Sequence, residues 1–302
     1  MEYKFFNANK ADMPPITKGF ELLSNPRKMY DYMSKIWCEY SCAPRMRKDW
    51  SKDNMTLGQC SITSFLIQDI FGGDVFGVPL GDGSYHCYNV INGVQFDLTS
   101  EQFDNQNLIY NDKYPQSREE HFASREKYER YLYLKRTLIN NLLIEKNQNF
   151  SSKNELSSLT KGQSPYMMVI CCSDSRVAPE MIFNTSYNEM FVIRTAGNVI
   201  NEGELASIEY GIEHLHIKYV LVLGHTSCGA IHASIHNEKG KYLDPILNRI
   251  KKNIENAKDE LEASKINANK EKEYLMKMFP VDDVIFDSAI YDIGTGKIEF
   301  IK

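Results

Sequence analysis

From residue 166 onward the sequence predicts an α/β domain built on a parallel sheet, preceded by a smaller α+β domain. Three observations carry this reading. The segments 166–171 and 219–224 are short, uninterrupted apolar runs with the length of buried strands. Each is followed by a turn and a helix start, near Pro179-Glu180 and at Cys228, with a strand at 190–194 and a helix at about 203–216 between them. Strands and helices that alternate in this way give a parallel sheet with helices on its faces. The upstream half lacks the alternation.

In that upstream half, Thr56-Leu-Gly-Gln-Cys60 opens a helix that runs through Ile70 and is ended by Gly72-Gly73. Strand pieces at 85–90 and 94–98 are joined by Asn92-Gly93, the two-residue turn that hairpins favour. Tyr128, Tyr131, Leu134, Leu138, Leu142 and Ile144 recur at helical spacing, which predicts a helix over 119–146. Residues 147–161 are polar and read as a loop flanking a short helix. The boundary is therefore placed between residues 139 and 140. Downstream, Arg249 to Lys277 is rich in Lys, Glu and Asn and reads as a solvated surface helix or helix pair. Strands at 284–291 and 297–301, joined through Gly294-Thr295-Gly296, close the chain as a hairpin.

The totals exclude several classes of function. With 302 residues, 42% hydrophobic and 12% aromatic, the chain can build two packed domains. A net charge of −5 argues against nucleic acid as a partner, because phosphate binding needs a basic footprint. The N-terminus has no apolar stretch of signal-peptide length, and no run is long enough to span a membrane. Seven cysteines, an odd number in a chain too large to need disulfide staples, fit a reducing, cytoplasmic compartment with thiols kept for metal or catalysis.

Two short motifs carry chemistry. Cys172-Ser-Asp-Ser-Arg176 and His225-Thr-Ser-Cys228 each follow a predicted strand, so Cys172, His225 and Cys228 fall at strand C-terminal ends, where sites form in such sheets. Two thiolates and an imidazole are ligands that Zn²⁺ prefers, and three protein ligands leave a fourth position open. Such a centre is roughly neutral and acidifies water less than three imidazoles would, which gives weight to a nearby base. Asp174 is the carboxylate placed for that role, and Arg176 can hold it as a fork. Released from Arg176, Asp174 could itself fill the open position. The alternatives are a structural thiol cluster and a closed, purely structural zinc. Cys171 points away from Cys172, as strand neighbours do. His214, His216, His232 and His236 read as surface or packing residues.

At these residues the chain resembles the β-class carbonic anhydrases. The segments that carry the likeness are Val169-Ile-Cys-Cys-Ser-Asp-Ser-Arg-Val-Ala-Pro-Glu180, Phe191-Val-Ile-Arg-Thr-Ala-Gly-Asn198, Ser207-Ile-Glu-Tyr-Gly211, Val220-Leu-Val-Leu-Gly-His-Thr-Ser-Cys-Gly-Ala230 and Tyr291-Asp-Ile-Gly-Thr-Gly-Lys297. They span roughly residues 140–302. The resemblance implies a β-carbonic-anhydrase-like fold, zinc on Cys172, His225 and Cys228, and Asp174 with Arg176 as a catalytic dyad. It implies reversible hydration of carbon dioxide to bicarbonate, and a homodimer or higher homo-oligomer. It extends to the carbon disulfide and carbonyl sulfide hydrolases. Thr195 departs from the family, which has Asn there, and residues 240–285 look altered.

Residues 1–139 lie outside that likeness. Cys60 at a helix start, with His86 and Asp97 on adjoining strands, can form a Cys-His-Asp arrangement of the papain-like kind, with Gln59 as an oxyanion donor. The alternative is an ordinary helix thiol beside unrelated strand and turn residues. Residues 56–103 with Arg130-Tyr-Leu-Tyr-Leu-Lys135 resemble the YunG-like small bacterial proteins. A thiol hydrolase or amidase, with the zinc domain as its regulator, and a non-catalytic zinc-stabilised scaffold are the rival readings of the whole.

Overall fold

The computed structural model describes residues 3–103 and 108–301, which divide into two compact units, Met1–Glu155 and Leu156–Lys302.

In the first unit, helix α1 (Pro26–Ile36) starts at Asn25, whose side chain accepts the Lys28 amide at 2.9 Å, and Pro at its first position suits the missing donor. Its buried face is Met29, Tyr32, Met33 and Ile36, at helical spacing. Helix α2 (Cys60–Phe71) is buried nearly all round, through Ile62, Thr63, Phe65, Leu66, Ile67 and Ile70. Gly72 and Gly73 follow at φ +79° and +73°, the left-handed backbone that ends the helix. Strands β1 (Asp74–Pro79), β2 (Tyr85–Ile91) and β3 (Val94–Phe96) form an antiparallel sheet in that order. Helix α3 (Arg118–Phe122) leads into α4 (Arg125–Ser151), capped by Ser124 on the Lys127 amide. Helix α2 packs on β2 and on α4, whose Leu134, Leu138 and Leu142 join the same core as Phe65 and Ile67. Each such fully buried side chain contributes roughly 1.5–3 kcal/mol.

Two sequence expectations change here. Strand β1 was not anticipated, because Gly77 and Pro79 interrupt its apolar pattern. The boundary at 139/140 falls inside α4, which continues through the polar residues to Ser151. Leu142 lies in the first unit's core, so the break comes only after Glu155.

The second unit contains β4 (Met167–Cys172), α5 (Pro179–Ile182), β5 (Met190–Thr195), α6 (Glu202–Glu209), β6 (Tyr219–His225), α7 (Gly229–Ile235), α8 (Asp244–Asn253), α9 (Glu260–Met278), β7 (Ile285–Asp292) and β8 (Lys297–Phe300). The sheet order is β5-β4-β6-β7-β8, with all pairings parallel except the closing β7–β8 hairpin. Every residue of β4 is buried, as a central parallel strand requires. Its alternate residues feed two cores, Met168 and Ile170 on one face, Met167, Val169 and Cys171 on the other.

The charged stretch 249–277 holds the expected helix pair, the end of α8 and most of α9, but one face of α9 is buried and not solvated. Helix α9 buries Ala263, Ser264, Asn267, Ala268, Glu271 and Leu275, while Leu261 is exposed. Glu271 is fully buried and accepts a two-pronged bond from Arg249, at 2.7 Å on each arm, together with the Asn253 amide at 3.0 Å and the Ile200 backbone N–H at 3.3 Å. A buried carboxylate is tolerated when paired and hydrogen-bonded in this way.

Candidate functional site

Strands β4 and β6 are neighbours, yet the chain leaves β4 to form β5 on the other side. Their carboxyl ends therefore flank the point where strand order reverses, the crevice in which α/β sheets bind ligands. Cys172 is the last residue of β4, in register with Thr195, and His225 is the last of β6, in register with Tyr291. Ser227, at φ +55°, turns the chain so that Cys228 immediately precedes α7.

The ligand atoms of Cys172, His225 and Cys228 all lie within 4.8 Å of one another, and the three residues are buried. The two sulfurs are 3.9 Å apart. His225 Nδ1 is 2.9 Å from the Thr226 carbonyl, which can only accept, so Nδ1 carries the proton and Nε2 presents a lone pair. That Nε2 is buried with no hydrogen-bond partner. An orphaned imidazole nitrogen facing two thiols costs free energy unless something binds it, and a soft divalent cation does so. The donor set fits zinc. The thiols are unequal: the Cys228 thiol and the backbone N–H groups of Asp174 and Gly197, the latter at 3.3 Å, lower Cys172 to about 4, while sharing that proton raises Cys228.

Asp174 and Arg176 stand beside these donors. Arg176 Nε and Nη2 donate to the two carboxylate oxygens at 2.9 and 2.7 Å, and the Arg176 backbone N–H adds a third bond at 2.9 Å. These bonds hold Asp174 well below the usual carboxylate range. The carboxylate is thus ionised and committed to Arg176. Arg176 also donates to the Ser227 carbonyl at 3.2 Å, which ties the dyad to the turn before Cys228.

Sequence reasoning missed Arg194, whose guanidinium donates to the Asp174 carbonyl at 2.8 Å and the Cys172 carbonyl at 3.4 Å. It missed the Gly197 amide too, although both residues lie in the Arg-Thr-Ala-Gly segment. Thr195 donates its hydroxyl to the Val199 carbonyl at 2.6 Å and so braces the turn that carries Gly197. Cys171 faces the other core, as expected. The exposed His232 and His236 gather with Glu260, and His232 Nδ1 is bound to that carboxylate at 2.6 Å.

In the first unit Cys60 sits at the head of α2, His86 on β2 and Asp97 just past β3. The His86 Nε2 to Asp97 Oδ2 distance is 2.5 Å, with both side chains 1% exposed. Asp97 also accepts the Thr99 backbone N–H and hydroxyl, both at 2.9 Å, and the Tyr110 hydroxyl at 2.9 Å. The other His86 nitrogen, Nδ1, is buried without a hydrogen-bond partner. Cys60 is lowered well below the ordinary thiol value, first by the Cys87 thiol and then by the charge of His86. His86 is raised to about 10, against its burial, by Asp97 and Cys60. Gln59 does not serve as the expected oxyanion donor. It is fully buried and its amide nitrogen donates to the Cys38 carbonyl at 3.1 Å. Cys87, Thr99 and Tyr110 join this cluster without a signal in the sequence.

Comparison with known proteins follows the same division. Residues 167–285 match the carbonic anhydrase family model, and residues 25–143 match the YunG protein model. Carbonic anhydrase 2 of Mycobacterium tuberculosis is 47% identical over 79 residues, covering 26% of this chain and 38% of that protein. The carbonic anhydrase of Helicobacter pylori is 35% identical over 131 residues, covering 40% of this chain and 59% of its own. Among solved structures, the β-carbonic anhydrase CafA of Aspergillus fumigatus overlays 54% of this chain and 90% of its own, at 26% identity and a TM-score of 0.47. The chain thus spans less than two thirds of the length of these curated relatives.

Proposed function

We propose that the second unit catalyses the reversible hydration of carbon dioxide to bicarbonate at a zinc ion held by Cys172, His225 and Cys228. The observation that carries this is the orphaned His225 Nε2 facing two thiols beside a carboxylate locked by an arginine fork. Zinc, when bound, makes a water acidic enough to act as a nucleophile near neutral pH. The chain supplies the rest. Cys172 and Cys228 provide two thiolates, and the Thr226 carbonyl keeps His225 in the tautomer that leaves Nε2 free. Asp174 stays ionised and oriented, so that its carboxylate accepts a hydrogen bond from the reacting group and aims it. Arg176 and Arg194 hold that carboxylate and its backbone carbonyl in place.

A homodimer or higher homo-oligomer is proposed with this activity, supported by the family likeness. A reducing, cytoplasmic setting is supported by all seven cysteines being free thiols. Among the described residues no helix is long and apolar enough to cross a membrane. The small substrate needs no partner macromolecule.

The test is stopped-flow carbon dioxide hydration of the full chain, before and after zinc removal by a chelator and after zinc is restored. Activity should vanish and return. Asp174→Ala should slow hydration by about 10²-fold or more, the usual worth of a positioned acid–base group, while zinc stays bound. Undiminished hydration in the zinc-free protein would refute the proposal.

A further inference from the structure

The Cys-His-Asp cluster of the first unit is not used by carbon dioxide hydration, and it places a thiol and an imidazole held by a carboxylate on one cavity. We propose that Cys60, His86 and Asp97 form a second catalytic centre that hydrolyses small polar carboxamides through a thioester on Cys60.

Four observations converge on this. Cys60 opens a twelve-residue helix, and the first intrahelical bond of that helix is from the Thr63 amide to the Gln59 carbonyl. The amides of Cys60 and Ser61 precede it, where a helix has donors without intrahelical acceptors, suited to a developing oxyanion. His86 is bound on one side only: Nε2 is fixed by Asp97, Nδ1 is buried and unpartnered, and the residue lines the same cavity as Cys60. Asp97 in turn is held by Thr99 and Tyr110, so the orienting carboxylate cannot swing away. The Phe103 ring stands edge-on to His86 at 4.6 Å and limits the imidazole's rotation.

The cavity is about 620 Å³, the size that takes a small molecule and not a folded protein. Arg45, Lys127 and Arg130 line it together with Glu120 and Glu126, a mixed-charge wall that suits a polar and not a greasy substrate. The lowered Cys60 and raised His86 agree with a thiolate–imidazolium pair at rest.

The chemistry balances with water alone. The Cys60 sulfur bonds to the amide carbonyl carbon. The C–N bond breaks, and the leaving nitrogen takes the His86 Nδ1 proton. Water then adds to the thioester carbon while His86 Nδ1 accepts its proton. The C–S bond breaks, the carboxylic acid leaves, and the thiolate–imidazolium pair is restored. Amide and water become acid and amine.

The test uses the full-length protein with p-nitrophenyl acetate as acylating probe, and with acetamide, glycinamide and glutamine as amide probes. A nitrophenolate burst equal to the protein concentration is expected, with the acetyl group on Cys60 by peptide mass spectrometry. Acetylation should exceed that of N-acetylcysteine at pH 6. It should be lost in Cys60→Ala and slowed by about 10²-fold or more in His86→Gln and Asp97→Asn. Ammonia should be released from at least one amide. Both tryptophans of the chain are in the first unit, and Trp37 donates to Thr63 of α2 at 3.1 Å, so unchanged emission certifies that a variant has folded. Acetylation of Cys60 no faster than N-acetylcysteine, or equally fast in a folded His86→Gln or Asp97→Asn protein, overturns the nucleophile assignment. Ammonia release from none of the three amides overturns the amide class.

Discussion

Gly197→Ala is a small change with a calculable outcome at the metal centre. Gly197 sits at φ +65°, and an added Cβ would lie 2.7 Å from Ile250 Cδ1 and 3.1 Å from Ala230 Cβ. The left-handed backbone costs a non-glycine residue roughly 1–2 kcal/mol. Ile250 is fully buried, so its displacement adds overpacking of roughly 1–3 kcal/mol. The combined destabilisation is about 2–5 kcal/mol, which for a unit of this size lowers its melting temperature by roughly 4–20 °C. The same shift pulls the Gly197 amide away from the Cys172 sulfur, so zinc should be lost faster to a competing chelator. Differential scanning calorimetry measures the first effect, with the transition seen by tryptophan fluorescence as an internal reference for the unaffected first unit. A second-unit transition lowered by less than 2 °C, with zinc release unchanged, would show that the turn is neither tight nor coupled to the ligand thiol.

Two further predictions concern buried charge. Glu271→Ala leaves Arg249 unpaired and the Ile200 amide and Asn253 side chain short of an acceptor; because Arg249 is 27% exposed, the cost should fall to about 2–4 kcal/mol, read from the same calorimetric transition. The stability of the first unit should follow the Cys60–His86 pair: His86, raised from 6.5 to about 10, loses stabilisation as pH rises above 6.5, while Cys60, lowered from 9.0, gains it up to pH 9. The two slopes oppose each other between pH 6.5 and 9 and flatten the dependence there, and stability falls above pH 9, where His86 and Cys87 both remain protonated in excess of the unfolded chain. Of the surrounding groups, Asp97 is lowered and His121 is lowered to about 4, so neither contributes between pH 6.5 and 9, with Lys127 facing His121. Urea unfolding followed by tryptophan emission should show the plateau in the native protein and a steady fall across it in Cys60→Ser.

The parts of the molecule set by strong local rules were legible in the sequence. Continuous apolar runs marked β4 and β6, and motifs at their ends placed Cys172, His225 and Cys228 before any geometry was known. The Asn92-Gly93 turn located the β2–β3 hairpin, and with it the meeting of His86 and Asp97. What escaped was set by tertiary context. Helix α9 buries alanine, serine, asparagine and a glutamate, which carry no hydrophobic periodicity. Gln59 stands next to Cys60, yet its side chain is claimed by the Cys38 carbonyl. Cys87 gave no signal, because its role depends on lying beside Cys60 across two elements. Strand β1 was hidden by a glycine and a proline.

Helix α9 reaches the candidate metal centre through the Asn267 side chain, which donates to the Gly197 carbonyl at 2.9 Å, on the same residue whose amide reaches Cys172. By composition this is the stretch in which sequence change looks cheapest. In a lineage of such proteins, substitutions there would be filtered by their effect on metal retention, so the helix should drift on its exposed Lys and Glu positions and stay fixed at Asn267 and Glu271.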